Sequence, residues 1–497
     1  ALVITLLSYN GQKGADEVKQ TAVTKPFVCH PIGTGLGART MITLRCERPL
    51  WTVPQACQAA PSKACCAASA ITGLRQPGPP MGLQSSKKEV QMRVYIGIDW
   101  SESKHDIVFM NEAGSPIVRL TIPHTLEGFL ELDATRQDLG VAQQDCLIGL
   151  ETAHNLVIDF LWSRNYPHVY VVPPSVVKST RGRYGHSGAR TDQSDAFLLA
   201  DLLRTDRARL QPWHPDSLLT RQIRAKVSLI HHLTHSVVRL SNRLRAVLLR
   251  YYPAALNVFS SLRTQIALQF IQVYPSPQAA AALTYNEFQV FAHQNGYTQP
   301  RRLPACFARL QLPQPGPMPE TVLIYQDEAA QLAALLLNMV RAKNQALRDL
   351  QSLFRKHPDA HIFDSLPGAG DFLAPALLAK FGDDRRRFPK PTSVQSLAGT
   401  CPVTDESGKR RVIKFRRACD REFRNIAQQW AIKSKPESLW ASIYWEQVRP
   451  HCGSRSHAYR CLANRWLAIA WKLWQTQQPY DEAYHLRLRA LRSKPRH

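Results

Sequence analysis

The sequence predicts a mixed α/β N-terminal domain followed by a mainly helical remainder. Three observations carry this expectation. Short apolar runs alternate with helical stretches from Arg93 to Pro212; long stripes of Leu and Val at spacings of three and four follow; a Trp-rich, strongly basic block comes last. With 497 residues the chain exceeds one ordinary core, so several domains are expected.

In the first region Val94–Ile98 reads as an apolar strand ending at Asp99. Asp106–Met110 and Ile117–Ile122 are two more, separated by the turn-forming Asn111-Glu112-Ala113-Gly114. Strands joined this closely must form an antiparallel meander. A helix from Thr125 to Leu139 precedes the strand Cys146–Leu150, which ends at Glu151, and another helix precedes His168–Val172. Meander, helix, strand, helix, strand is the order of a ribonuclease-H-like mixed sheet.

Beyond Pro212, Leu229, Leu233, Val237, Leu240, Leu244 and Val247 form one stripe, with Arg239, Arg243 and Arg245 between them. Leu332, Leu336, Met339, Ala346, Leu350 and Leu353 form another. Both predict long amphipathic helices, paired with each other or with a second subunit in coiled-coil fashion. Between them the Pro-rich stretch Tyr297–Glu320 reads as a loop.

The third block opens with the tight turn Leu366-Pro367-Gly368-Ala369-Gly370, which leads into the apolar helix Phe372–Phe381. Such a turn either presents backbone N–H groups to a phosphate or simply links two helices. Trp430, Trp440, Trp445, Trp466, Trp471 and Trp474 make up six of the 10 Trp, and most are expected in the core rather than as base-stacking platforms.

The domain plan is therefore 92–212 catalytic α/β, 213–358 helical linker, 359–478 mainly α C-terminal domain and 479–497 basic tail. Residues 1–91 read as an atypical leader that lacks sustained periodicity. Cys29, Cys46, Cys57, Cys65 and Cys66 fall there, the first residue is Ala, and Met92 stands just before the first strand. Folding is expected to begin there.

Lys and Arg number 63 against 38 Asp and Glu, a net charge of +25. This excess points to a polyanionic partner, because each neutralised phosphate releases condensed counterions. No apolar run is long enough to span a bilayer, and no signal peptide is expected from the opening residues. The 11 Cys make no CxxC pair, and no Cys/His spacing reads as a zinc site, so free thiols in the cytoplasm are expected.

Four acids stand where acids are costly. Asp99 and Glu151 end apolar strands; Asp192 and Asp195, three apart, begin a helix and can share one face. Clustered carboxylates resist burial unless cations relieve them. Mg²⁺ prefers oxygen ligands and keeps positions for substrate phosphates, and two such ions about 4 Å apart serve phosphodiester chemistry. In the alternative reading the two strand-end acids are caps and Asp192 merely N-caps its helix.

Ser407-Gly408 reads as a turn that exposes a hydroxyl. Lys409, Arg410, Arg411, Lys414, Arg416 and Arg417 follow at once, and Arg421 and Arg424 continue the run along a helix. That density suits phosphate clamping. A serine hydroxyl needs an activating base or metal, and no adjacent His supplies one. On its residues alone Ser407 is an ordinary loop serine.

Taken in order, these segments resemble the DEDD-type insertion-sequence transposases, the family numbered one hundred and ten, identified with bridge-RNA-guided recombination. The resemblance covers residues 93 to about 480. Its RuvC-like part is Tyr95-Ile96-Gly97-Ile98-Asp99, Gly149-Leu150-Glu151-Thr152-Ala153 and Thr191-Asp192-Gln193-Ser194-Asp195-Ala196; its C-terminal part is the turn at Leu366, Phe388, Leu397-Ala398-Gly399 with Pro402, and Ser407-Gly408. The likeness implies Asp99, Glu151, Asp192 and Asp195 as ligands for Mg²⁺ (two ions, or Mn²⁺), and Ser407 as the nucleophile of a 5′-phosphoserine link. It also implies element-end and target DNA, a structured guide RNA, a homo-oligomer from dimer to tetramer with sites shared between subunits, and a place on the bacterial nucleoid. Two alternatives stand beside it: a RuvC-like metal-dependent nuclease without serine chemistry, and a non-enzymatic basic nucleic-acid-binding protein.

Overall fold

The computed structural model describes residues 92–152, 156–184, 191–312, 316–408 and 410–493. The leader 1–91 and Lys409 lie outside the described residues. Strands β1 (Val94–Trp100), β2 (Lys104–Met110) and β3 (Pro116–Pro123) form the expected antiparallel meander. Gly114 at the β2–β3 tip takes a φ of +87°, and Asn111 Oδ1 accepts the Ser115 N–H at 2.9 Å, which closes the turn. Strands β4 (Cys146–Leu150) and β5 (Val169–Val171) add in parallel beside β1, giving the order β3-β2-β1-β4-β5. This is the ribonuclease-H-like sheet that the element order predicted.

Alternation along β1 divides its side chains between two layers. Val94, Ile96 and Ile98 join Ile107, Phe109 and Ile148 on one face, under α1 (Leu126–Asp138) and α2 (Leu156–Ser163). Each fully buried aliphatic side chain of that layer is worth about 1.5–3 kcal/mol. Tyr95 and Leu147 face the other way, against Ala200 and Leu203 of α4 (Asp192–Asp206), which follows the short α3 (Pro174–Thr180).

The two predicted stripes are the long helices α5 (Leu218–Tyr251) and, after α6 (Ala255–Val258), α7 (Gln265–Val273), α8 (Pro277–Ala281), α9 (Tyr285–Gln294) and α10 (Leu303–Leu310), α11 (Pro319–Arg355). They pack antiparallel on each other: Lys226 pairs with Asp349 at 2.8 Å near one end and Arg243 with Glu328 at 2.5 Å near the other. Intrachain pairing therefore accounts for the buried stripe. Leu229 departs from the prediction, since it is 44% exposed beside Ile230, which takes the buried place.

The expected loop at Tyr297–Glu320 is a correction. Pro300–Arg302 is a 3₁₀ turn and α10 is a helix, with Pro304 in its first turn, where a missing N–H costs nothing. Leu303, Cys306 and Leu310 bury its inner face, and Pro319 starts α11 in the same manner.

The third block is built from α12 (Ala360–Asp364), α13 (Gly370–Phe381), α14 (Pro391–Leu397), α15 (Arg421–Glu437), α16 (Leu439–Val448), α17 (Arg455–Thr476) and α18 (Glu482–Ser493). Its core holds Phe381, Phe423 and the fully buried Trp430, Trp466 and Trp474, so these Trp are core, as expected. The turn at Leu366 is a helix link. Gly368 (φ +72°) lies against the backbone of Lys433 and Ser434, and its N–H donates to Glu437 Oε2 at 2.7 Å. Between α14 and α15 stands a feature the sequence reading did not name, the two-stranded ribbon of β6 (Val403–Ser407) and β7 (Arg410–Lys414).

Candidate active site

Two glycines bring the acids together. Gly97 of β1 pairs with Gly149 of β4, and both point at α4. A Cβ on Gly97 would lie 1.9 Å from the Ala196 carbonyl oxygen, and one on Gly149 3.0 Å from Leu203 Cδ1. No side chain fits at Gly97, so α4 rests directly on the strand. Asp99 and Glu151 each lie two residues beyond such a glycine, on the same face by strand alternation. That face meets the first turn of α4, which carries Asp192 and Asp195.

The N-cap of α4 is Thr191 rather than Asp192. Thr191 Oγ1 accepts the Ser194 N–H and Ser194 Oγ accepts the Thr191 N–H, both at 3.1 Å. The capping explanation for Asp192 therefore fails, and its carboxylate is left for other work. It forms an ion pair with Lys104 at 3.2 Å and is 58% exposed. Asp195 is 19% exposed and accepts both arms of Arg181, at 3.1 and 2.6 Å.

Burial pushes the Asp99 carboxyl up to about 7, helped by the negative charges of Asp195, Glu151, Asp192 and Asp106. Glu151 is raised by burial and by Asp195, against the opposing pull of Arg181. Asp99 thus lies within reach of the charge of the other three predicted acids, two of which, Asp192 and Asp195, are paired with Lys104 and Arg181. Their oxygens are not drawn into a closed cage: among the described residues no three carboxylates bring ligand atoms within 4.8 Å of one another.

Sequence reasoning missed three neighbours. Asp106 stands directly across from Asp99 in the β1–β2 register, is buried, and accepts from Thr121 Oγ1 at 2.6 Å and Lys104 Nζ at 3.3 Å. Lys104 and Arg181 supply the local countercharge. A signal for Asp106 existed in the meander, since an acid that opens an apolar strand beside Asp99 must pair across it. Nothing in the sequence announced Arg181.

The ribbon places Ser407 at the end of β6, opposite Arg410, with Gly408 at φ +56° beginning the turn. Ser407, Arg410, Arg411, Lys414, Arg417 and Arg421 are all exposed. The cations are not equivalent. Arg411 pairs with Glu406 at 2.8 Å and Lys414 with Asp405. Arg416 Nε donates to the Cys401 carbonyl at 3.4 Å. Arg424 is half-buried; it donates to the Arg416 carbonyl at 2.6 Å and lies 4.5 Å from the Phe415 ring centre, so it holds the base of the ribbon. The thiols at Cys146, Cys306, Cys401, Cys419, Cys452 and Cys461 are free, as expected. The expectation that no Cys/His set is spaced for a metal is corrected: Cys452, His457 and Cys461 bring their ligand atoms within 4.8 Å of one another.

A ribonuclease-H-like sheet with two acids at the ends of central strands and two more on the helix packed there, joined to a basic helical block, is the arrangement of a nucleic-acid-processing protein. Residues 96–253 match a transposase family model of the DEDD/IS110 type, and residues 360–443 match the transposase model of the IS116/IS110/IS902 family. The "Mini-circle putative transposase for IS117" of Streptomyces coelicolor is 28% identical over 407 residues, 79% of this chain and 97% of that protein. The "Insertion element IS900 uncharacterized 42 kDa protein" of Mycobacterium paratuberculosis is 23% identical over 403 residues, 78% of this chain and 98% of that protein. An IS110 43.6 kDa protein of Streptomyces coelicolor is 27% identical over 222 residues, 44% of this chain and 54% of that protein. The chain belongs to the IS110 family of insertion-sequence transposases. No helix among the described residues is long and apolar enough to cross a membrane.

Proposed function

We propose that this transposase exchanges DNA strands by transesterification through Ser407, with the Asp99–Glu151–Asp192–Asp195 cluster as its metal-binding half. The observation that carries the reading is the Gly97/Gly149 seating of α4, which sets two strand-end acids against two helix-start acids. The donor set fits a hard divalent ion in kind: it is all carboxylate, and Asp99 is raised by burial and by the negative charge of its acidic neighbours. Such ions, Mg²⁺ or Mn²⁺, activate an attacking oxygen and neutralise charge on a transferring phosphate. Asp99, Glu151, Asp192 and Asp195 would hold such an ion, with Arg181 yielding an oxygen of Asp195, both of which it now occupies.

In the reaction, Ser407 Oγ attacks a backbone phosphorus and the P–O bond to the 3′ oxygen breaks. A free 3′-OH and a 5′-phosphoserine remain. A 3′-OH from a second strand then attacks the same phosphorus, and Ser407 leaves. Phosphodiester bonds are exchanged, so no nucleotide fuel is consumed. Arg410, Arg417 and Arg421, exposed around the ribbon, neutralise the phosphate, with Lys409 beside them in sequence.

Ser407 has no histidine beside it in sequence, so the group that takes its proton comes from the acid cluster of another subunit. Exposed Leu323, Ile324 and Leu335 on α11 offer an apolar surface for such an assembly. DNA choice comes from a structured guide RNA encoded by the element, by likeness to the family. The proposed domain limits are 92–212, 213–358 and 359–478, with the core of the last extending into α5 through Ile223, Val227 and Ile230 and into α11 through Ala346, Leu350 and Phe354.

The test is denaturing-gel capture of end-labelled element DNA with the full chain, its RNA and Mg²⁺. A protease-sensitive adduct mapping to Ser407 and absent from Ser407→Ala supports the reading. Full cleavage by Ser407→Ala with no adduct in wild type supports a plain metal-dependent nuclease instead.

A further inference from the structure

We propose that Cys452, His457 and Cys461 form a zinc site that staples the start of α17. Cys452 follows the 3₁₀ turn Arg449–His451 and is buried in the C-terminal core. Ser454 caps α17 by accepting the His457 N–H at 3.1 Å, which fixes His457 in the first turn. Cys461 lies four residues further along, on the same helix face. The loop carrying Cys452 is itself pinned, since Arg449 Nη1 donates to the Cys452 carbonyl at 3.0 Å.

The three ligand atoms lie within 4.8 Å of one another. A tetrahedral ion with N and S ligands at about 2.0–2.3 Å spaces them roughly 3.5–3.8 Å apart, so only a small closure is needed. Two thiols with an imidazole select a soft or borderline ion such as Zn²⁺ over Mg²⁺, which separates this site from the acid cluster. A disulfide would need no histidine at the third corner. Binding converts both thiols to thiolates and releases two protons to solvent, with neutral His457 giving a ring lone pair. The fourth tetrahedral position is left for water or a small ligand.

The staple has a structural consequence. Asn464 of the same helix accepts from Gln395 Nε2 through its carbonyl at 2.7 Å and from Thr400 Oγ1 through Oδ1 at 2.9 Å. Those bonds hold the segment that leads into the β6–β7 ribbon. Fixing the first turn of α17 therefore steadies the base from which the ribbon projects.

The experiment uses full-length protein purified under thiol reductant without chelator. Zinc is counted by elemental analysis, and Co²⁺ is added to metal-stripped protein. One zinc per chain and a thiolate-to-cobalt charge-transfer band are expected. Both should be lost in the Cys452→Ser/Cys461→Ser double variant. His457→Ala, which replaces a side chain outside the buried core, should keep the metal-free melting curve and weaken zinc binding by roughly tenfold or more. Cobalt at carboxylates gives no such band, so the acid cluster cannot mimic the result. The proposal is overturned by absence of the band in wild type, by equal zinc in wild type and double variant, or by a Cys452–Cys461 disulfide in place of zinc.

Discussion

Asp99 and Glu151 end two central strands beneath a helix seated on glycine, whereas Ser407 ends an edge of a two-stranded ribbon whose residues are nearly all exposed. The first region is positioned by close packing, and burial with neighbouring negative charge raises Asp99 and Glu151 while Asp192 and Asp195 pair with Lys104 and Arg181. The second is positioned by little except its base at Arg424 and Asn464, while much of its charge is internally paired. The contrast matches the division of labour proposed here. A metal-binding cluster needs fixed oxygens, and a nucleophile delivered to another subunit needs reach. Asp383 shows what a satisfied acid looks like in the same chain: it accepts from Ser217 N and Thr220 Oγ1, both at 2.6 Å, and its carboxyl is held below the usual range by His357 and these bonds.

The largest expected effects separate the two regions by chemistry. Ser407→Ala should abolish the covalent DNA adduct with no change in melting temperature, because the side chain is exposed. Asp99→Asn should lower strand cleavage by roughly 10²–10³-fold or more, the scale of removing one preorganised electrostatic element. The same change should leave the metal-free fold as stable or stabilise it, since it removes a like charge. A loss of folding in Asp99→Asn would break the comparison.

Next in size is the packing beneath the acids. Gly97→Ala drives a Cβ into the Ala196 carbonyl and should cost about 1–3 kcal/mol, read from the denaturant midpoint. It should also impair cleavage, because α4 carries Asp192 and Asp195. An unchanged midpoint would mean that α4 is not seated on the strand.

A pH series sharpens the contrast in sign. Asp99 is raised from 3.8 to about 7 in the folded chain, so between those values the folded state holds more protons than the unfolded one. Its contribution to metal-free stability therefore declines as pH rises through that window, and Asp99→Asn should remove the decline. Asp383 has the opposite sign: its stabilisation is present above the unfolded pKa and fades as pH falls. Melting curves of Asp99→Asn and Asp383→Asn against pH should diverge in these directions. Adding Mg²⁺ near neutral pH should raise the wild-type melting temperature more than that of Asp99→Asn.

Nucleic-acid affinity should fall by roughly 10³–10⁵ between ~50 and ~200 mM salt if six to ten phosphates are contacted. Arg411→Ala, which breaks an exposed pair with Glu406, should change stability by about 1 kcal/mol or less.

The sheet was legible because each strand is a short apolar run between turn residues, and the two strand-end acids were legible because they interrupt such runs. Their convergence with Asp192 and Asp195 depends on α4 lying on Gly97, which local pattern does not encode. Arg181 was missed for that reason, whereas Asp106 was legible in the meander, where an acid that opens β2 falls opposite Asp99. At 300–320 proline misled, since it breaks a helix in the interior yet starts one at α10 and α11. Cys452, His457 and Cys461 straddle a helix cap, so their spacing resembles no familiar zinc pattern until the cap brings them together.

The most direct test of the divided site is complementation. Ser407→Ala chains and Asp99→Asn chains, each inactive alone, are mixed, reassembled with RNA and both DNA partners, and scored for strand exchange. Restored exchange is predicted, because an intact acid cluster from one chain then meets an intact serine from the other. Mixed assemblies that form and stay inactive would contradict the account.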